Sequence, residues 1–254
     1  MALVRCDFFS DVLQVGTSMS VVLPQQTDEQ IGVSTRSAAA EGFPVLYLLH
    51  GLSDDASAWL RYSAIERHAA ERGLAVVMPQ VGRSFYADEV QGHRYWTFLS
   101  EELPGIVEGF FRVSSRREDT FVAGLSMGGY GALKWALHQP SRFAAAASLS
   151  GALDIATLLR EPQRRELLDR VFGGAVGPHD DLFELLGCVE PASVPGLYVG
   201  CGTEDALLPG SERFAAEAAE RGLDVRTDFR PGAHEWALWD AVVRDVIAWL
   251  PLAG

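Results

Sequence analysis

The chain has 254 residues, of which 48% are hydrophobic and 22% charged, with 25 Gly and 12 Pro. That composition supports one large core and excludes a mainly disordered, collagen-like or coiled-coil protein. Its 34 acidic residues against 21 basic ones give a formal charge of −13, which repels phosphate backbones and anionic lipid and argues against a nucleic-acid or membrane partner.

The first 23 residues alternate apolar and polar positions and read as an antiparallel strand pair turning at Gly16-Thr17. Asp7 and Asp11 stand where a secretion signal would carry its apolar stretch, and no run approaches the ~20 residues of a membrane span. A cytoplasmic protein is expected. From Pro44 onward, short wholly apolar runs alternate with longer amphipathic ones, the pattern of buried parallel strands joined by covering helices. The strand runs are Val45 to Leu49, Leu74 to Met78, Thr120 to Ala123, Ala144 to Leu149, Gly196 to Gly200 and Val225 to Phe229. Helical patterns fall at about Ser57 to Arg72, Tyr95 to Phe111, Gly128 to His138, Ser211 to Arg221 and Glu235 to Leu250. The fold class is therefore α/β, a single domain with a mostly parallel central sheet and helices on both faces. Gly151 to Pro195, about 45 residues, holds helical fragments such as Pro162 to Phe172 but no convincing strand, and reads as an insertion or lid over the sheet.

Gly124-Leu125-Ser126-Met127-Gly128 directly follows the apolar run TFVA and directly precedes a helical pattern. Strand, tight turn and helix in that order form a nucleophile elbow, with the helix N-terminus facing the serine. A serine hydroxyl needs a base, and His has the suitable pKa. If the chain order is nucleophile, acid, base, then His138, His179 and His234 compete. His138 lies late in a helix and His179 in the irregular insertion beside Asp180 and Asp181, whereas His234 sits in the loop before the last helix. The acid should leave the end of an earlier strand, which selects Asp205 in CGTED, with Glu204 its nearest competitor. Oxyanion donors are expected from the backbone N–H groups of Met127, after the nucleophile, and Leu52, in the His50-Gly51-Leu52 loop. Trp59, Phe85, Tyr86, Tyr95, Trp96 and Trp236 stand near these motifs and are candidates for the substrate pocket wall, while Trp135 and Trp239 read as core. Three cysteines, Cys6, Cys188 and Cys201, form no CxxC pair and read as buried small apolar residues.

These residues resemble the esterase-D-like serine esterases of the α/β-hydrolase fold, which include S-formylglutathione hydrolases, tributyrin esterases and some feruloyl esterases. The matching phrases are LLHGLSDDASAW at 48–59, RSFYAD at 83–88, SEELP at 100–104, AGLSMGGYGALKWAL at 123–137, SLSGALD at 148–154, GTED at 202–205 and HEWALW at 234–239. The tributyrin esterase branch is the one most resembled. The resemblance implies a carboxylesterase on short acyl esters, with Ser126, Asp205 and His234 as triad, Leu52 and Met127 as oxyanion donors, and neither metal nor cofactor. Thioester hydrolysis of S-formylglutathione and feruloyl or acetyl-xylan ester hydrolysis are the related alternatives. An acyltransferase and a noncatalytic binding module are more distant ones. A homo-oligomer is implied by the likeness alone, and the linear pattern selects no symmetry.

Overall fold

The apolar runs at 45–49, 75–79, 120–125, 145–149 and 196–202 condense into one sheet because they are buried on both faces and must find hydrogen-bond partners on both sides. In the computed structural model, which describes residues 1–27, 31, 42–158 and 160–252, the strands are β1 (Ala2–Ser10), β2 (Val15–Leu23), β3 (Val45–Leu49), β4 (Ala75–Pro79), β5 (Thr120–Leu125), β6 (Ala145–Leu149), β7 (Gly196–Gly202) and β8 (Val225–Arg230). They form an eight-stranded sheet in the order β1-β2-β4-β3-β5-β6-β7-β8. β1 and β2 pair antiparallel with each other and β2 with β4, while the remaining pairs are parallel.

The helices are α1 (Ala58–Tyr62), α2 (Ile65–Arg72), α3 (Tyr95–Thr97), α4 (Leu103–Phe110), α5 (Met127–His138), α6 (Ile155–Leu158), α7 (Arg165–Phe172), α8 (Leu182–Cys188), α9 (Leu208–Glu220) and α10 (Trp236–Trp249). Two single helices of the sequence reading are divided. The first breaks at Ser63-Ala64, where Asp240 accepts the Ala64 N–H at 2.7 Å, and the second passes through a π-helical turn at Phe98–Glu102. Two cores result, one on each sheet face: Tyr47, Val122, Tyr130 and Trp135 on one, and Leu46, Phe121, Trp239 and Val243 on the other. Trp135 and Trp239 are both buried, as core residues should be.

The hairpin differs from its reading. Gly16 and Thr17 lie inside β2 opposite Phe9 and Phe8, and the turn is the four residues before Val15, closed by Gln14 N–H to Ser10 O at 2.8 Å. Gln14 takes φ 59° there, a turn made without glycine and therefore without the usual sequence signal. The cysteine reading also fails in part: Cys201 is buried, Cys6 is half-buried and Cys188 is exposed on α8.

Candidate active site

β5 occupies the middle of the sheet, so the turn at its C-terminal end projects from the carboxyl edge, where open α/β sheets bind ligands. Ser126 is that turn, with φ 53° and ψ −116°, and Met127 opens α5. The strained backbone is held by Ser126 N–H to Leu149 O at 2.9 Å and by Ala152 N–H to Ser126 O at 3.1 Å. The glycines of the motif are required by contact. A Cβ on Gly124 would lie 2.4 Å from the Gly128 carbonyl carbon, and one on Gly128 would lie 2.4 Å from Leu49 O. Both obstacles are backbone, so Gly128→Ala is expected to lower stability by about 1–3 kcal/mol, seen as a lower urea midpoint, and to displace the serine.

His234 and Asp205 arrive from the ends of β8 and β7. His234 Nε2 stands 3.1 Å from Ser126 Oγ, and its Nδ1 stands 2.7 Å from Asp205 Oδ2. The two loops touch at Gly202 and Gly232, where a Cβ on Gly202 would meet Gly232 O at 2.1 Å. Trp239 meets the His234 ring edge-on at a centroid distance of 4.8 Å. Asp205 is buried, 5% exposed, and its Oδ1 accepts the Leu207 N–H at 2.9 Å. Burial alone would raise its pKa. The hydrogen bonds from His234, Leu207 and Ser150, with the charge of His234, outweigh that and hold it below the usual carboxylate value. An ionised carboxylate only accepts, so Nδ1 carries the proton and Nε2 is left to accept from the serine hydroxyl.

A cavity of about 250 Å³ opens onto Ser126 and His234. Its wall includes Leu52, Phe85, Met127, Ala152, Ala206 and Leu207, and both residues expected as oxyanion donors are among them. Among the described residues neither the Leu52 nor the Met127 N–H has a backbone acceptor, which leaves both free for a developing oxyanion. Gly51 brings the Leu52 loop in, since a Cβ there would lie 3.7 Å from Ser126 Cβ. His50 is buried beneath the loop. Its Nδ1 lies 2.8 Å from Gly51 O and its Nε2 accepts the Val81 N–H at 3.3 Å. Burial lowers its pKa and keeps it neutral, a structural part.

Of the six aromatic residues expected to wall the pocket, Phe85 does so and the other five do not. Trp59 is buried and donates its indole N–H to Leu49 O at 3.1 Å, and Trp236 packs edge-on against it at 5.2 Å. Tyr86 is buried with its hydroxyl donating to His50 O at 2.9 Å. Tyr95 lies beside the β1–β2 hairpin, and Trp96 lies under the Lys134 ammonium at 4.4 Å. Trp59, Tyr86 and Trp96 are thus taken up by polar atoms or a cation, and Trp236 by neighbouring rings. His138 and His179 stack at 4.1 Å, away from Ser126, with His138 Nε2 near His179 O at 2.8 Å. Glu204 is exposed, and Asp228 is bound to Tyr198 and Arg230.

Sequence reasoning missed Ser150, Glu161 and Arg164. Ser150, buried with φ 47°, hydrogen-bonds Asp205. Glu161 and Arg164 come from the 151–195 stretch, line the cavity and pair at 2.6 Å. Of the five non-glycine residues with positive φ among the described residues, Phe85, Tyr86, Ser126 and Ser150 cluster around the site, where stored strain positions side chains.

An eight-stranded α/β sheet with a serine at the elbow, a histidine in reach of it and a buried carboxylate behind defines a serine hydrolase of the α/β-hydrolase fold. The model of the esterase family, described as "Putative esterase", matches residues 20–249, and the chain belongs to that family. An acetyl esterase of Caldicellulosiruptor saccharolyticus is 28% identical, with 98% of each chain covered. The fluorophosphonate-binding serine hydrolase F of Staphylococcus aureus superposes with a TM-score of 0.88 at 30% identity, covering 98% of both chains. An S-formylglutathione hydrolase of the same organism gives 0.83 at 30% identity, again with 98% of both covered. Among the described residues no helix is long and apolar enough to cross a membrane.

Proposed function

We propose that the chain hydrolyses short-chain carboxylic esters through an acyl-enzyme on Ser126. His234 Nε2 takes the hydroxyl proton as Ser126 Oγ bonds to the ester carbonyl carbon, and the resulting oxyanion accepts the Leu52 and Met127 N–H groups. As the carbon–oxygen bond to the alcohol breaks, His234 returns the proton to the leaving oxygen. Water then repeats the sequence, with its proton passing to His234 and back to Ser126, and releases the acid. Asp205 holds the ring and stabilises its positive form. The observation that carries this reading is the continuous hydrogen-bond chain Asp205–His234–Ser126 opening into a small cavity walled by six apolar residues and the Glu161–Arg164 pair.

The cavity volume, about 250 Å³, falls below the ~300 Å³ at which drug-sized pockets begin, which supports a short acyl group. The acetyl esterase relative, similar over its whole length, supports the same choice. Arg164, the cation on the wall, is already paired with Glu161, which favours an uncharged alcohol over the glutathione carboxylates that the S-formylglutathione hydrolase likeness would suggest. The test is kcat/KM across p-nitrophenyl esters from acetate to decanoate, with S-formylglutathione and methyl ferulate alongside. Acetate and butyrate are expected to exceed octanoate by about tenfold or more, since each methylene that cannot enter the pocket forfeits its transfer free energy. Turnover that rises with chain length, or that is greatest on S-formylglutathione, would overturn the short-ester assignment.

A further inference from the structure

Of the chain's 21 basic residues, 20 are arginine and one, Lys134, is lysine. It stands on α5, eight residues after Ser126, and is fully buried. A buried ammonium persists only where its donors find partners. Lys134 Nζ donates to Asp180 Oδ1 at 2.6 Å and to Tyr86 O at 3.1 Å, and the centroid of the Trp96 ring lies 4.4 Å from it. A compact ammonium meets acceptors from two chain segments and a ring face at once, whereas the guanidinium used everywhere else in the chain is a planar fork with a different donor geometry. None of these partners belongs to the Asp205–His234–Ser126 chain.

The Tyr86 carbonyl belongs to a strained turn. Phe85 and Tyr86 both take φ 50°, a region that non-glycine residues leave unless their surroundings hold them there. Tyr86 accepts that conformation because it is tied at three points: its N–H donates to Ser84 Oγ at 3.1 Å, its hydroxyl donates to His50 O at 2.9 Å, and its carbonyl accepts from Lys134. Its ring lies against the α5 backbone, where a Cβ on Gly131 would meet it at 2.5 Å. Phe85 rides on this turn. Its N–H donates to Met127 Sδ at 3.3 Å, its ring packs on Tyr130 and Phe172, and it forms part of the cavity wall beside Ser126. Through Asp180 the same ammonium ties the turn to the 151–195 stretch, and the Tyr130 hydroxyl adds a bond to Asp180 O at 2.7 Å.

We propose that Lys134 is a positioning residue that sets which acyl chains the cavity admits: its ammonium fixes the Tyr86 carbonyl and so holds Phe85 as a rigid wall. This rests on the ester-hydrolase reading above. A buried ion pair that serves stability alone can be exchanged for apolar packing with little functional consequence. Loss of this one instead frees the Phe85–Tyr86 turn to relax from positive φ, and the wall yields to longer chains.

The test compares the wild type, Lys134→Met, Asp180→Ala, Phe85→Ala and Lys134→Met/Phe85→Ala, each checked for folding by circular dichroism, in kcat and KM on p-nitrophenyl acetate and octanoate. Lys134→Met is expected to lower the acetate-to-octanoate ratio of kcat/KM about fivefold or more, the change falling on KM for octanoate rather than on kcat for acetate. Asp180→Ala, at a part-exposed position, removes one of the two acceptors and should move the ratio in the same direction, so it decides the question should Lys134→Met fail to fold. Phe85→Ala should move the ratio by itself, and adding Lys134→Met should then move it little further, because both act on one wall. Labelling rates with a methyl- and an octyl-fluorophosphonate read the same wall without ester turnover and should shift in parallel. A wild type that is labelled but cleaves no ester would end the ester reading and leave Lys134 to be judged on the labelling ratio; one that takes no label would overturn both. Ratios unchanged in Lys134→Met, or in Asp180→Ala where Lys134→Met does not fold, would overturn the proposal, as would a uniform loss across chain lengths or effects of Lys134→Met and Phe85→Ala that simply add.

Discussion

Ser126→Ala is expected to lower kcat on p-nitrophenyl acetate by roughly 10⁴- to 10⁶-fold while leaving the fold intact. The hydroxyl accounts for no packing that alanine would lose: its recorded partner is His234 Nε2 at 3.1 Å, and the elbow is held by the backbone bonds of Ser126 to Leu149 and Ala152. Alanine must adopt the same φ of 53°, a strain that serine already bears, so thermal stability should change little. What disappears is the atom that forms the acyl bond. The Leu52 and Met127 N–H groups would still polarise a bound ester, and a residual rate above water is expected from them. Covalent labelling by a fluorophosphonate gives a second readout that turnover cannot mimic: the wild type should form an adduct at Ser126 visible by mass, and the variant none. A variant that retained wild-type turnover or still took the label would place the nucleophile elsewhere.

The centre of the sheet was legible because its strands are buried on both faces, so VLYLL, TFVA and GLYVG stand out as unbroken apolar runs against amphipathic helices. The elbow was legible for a related reason. Gly124, Ser126 and Gly128 fall within five consecutive residues, and the contacts at 124 and 128 admit only glycine. Asp205 and His234 could be placed because strand ends are where such a fold presents functional groups. The pocket wall was not legible. Leu52, Phe85, Ala206 and Leu207 meet there from separate loops, and their apolar character does not distinguish a wall from a core. Glu161 and Arg164 gave even less signal, because a charged pair in the 151–195 stretch has the composition of any solvated surface. Ser150 supports Asp205 from the SLSG turn, a role that depends on tertiary proximity alone.

Asp205→Asn is the sharper test of the arrangement, because it removes a charge while keeping the shape. In the wild type Asp205 Oδ1 accepts the Leu207 N–H and Oδ2 accepts His234 Nδ1–H. An asparagine must still offer its oxygen to Leu207, and so turns its NH₂ group toward His234. Nδ1 then has to accept, the ring proton moves to Nε2, and the nitrogen facing Ser126 becomes a donor unable to take the hydroxyl proton. The imidazolium formed during acylation also loses its counter-charge. The expected loss in kcat is about 10³- to 10⁴-fold at neutral pH, with KM little changed, since Asp205 is buried and acts through His234. Asp205→Glu keeps the charge but lengthens the side chain in a space where the carboxylate is 5% exposed, so it should recover only part of the rate. The depressed pKa of Asp205 adds a stability signature. The carboxylate contributes stability above the ordinary carboxylate pKa and loses it as pH falls through its lower folded value, so the wild type should lose more stability than Asp205→Asn across that acid range. Urea midpoints measured for both proteins from neutral to acid pH would show the two curves converging. Parallel curves, or an asparagine variant that turns over at the wild-type rate, would assign the acid to another residue.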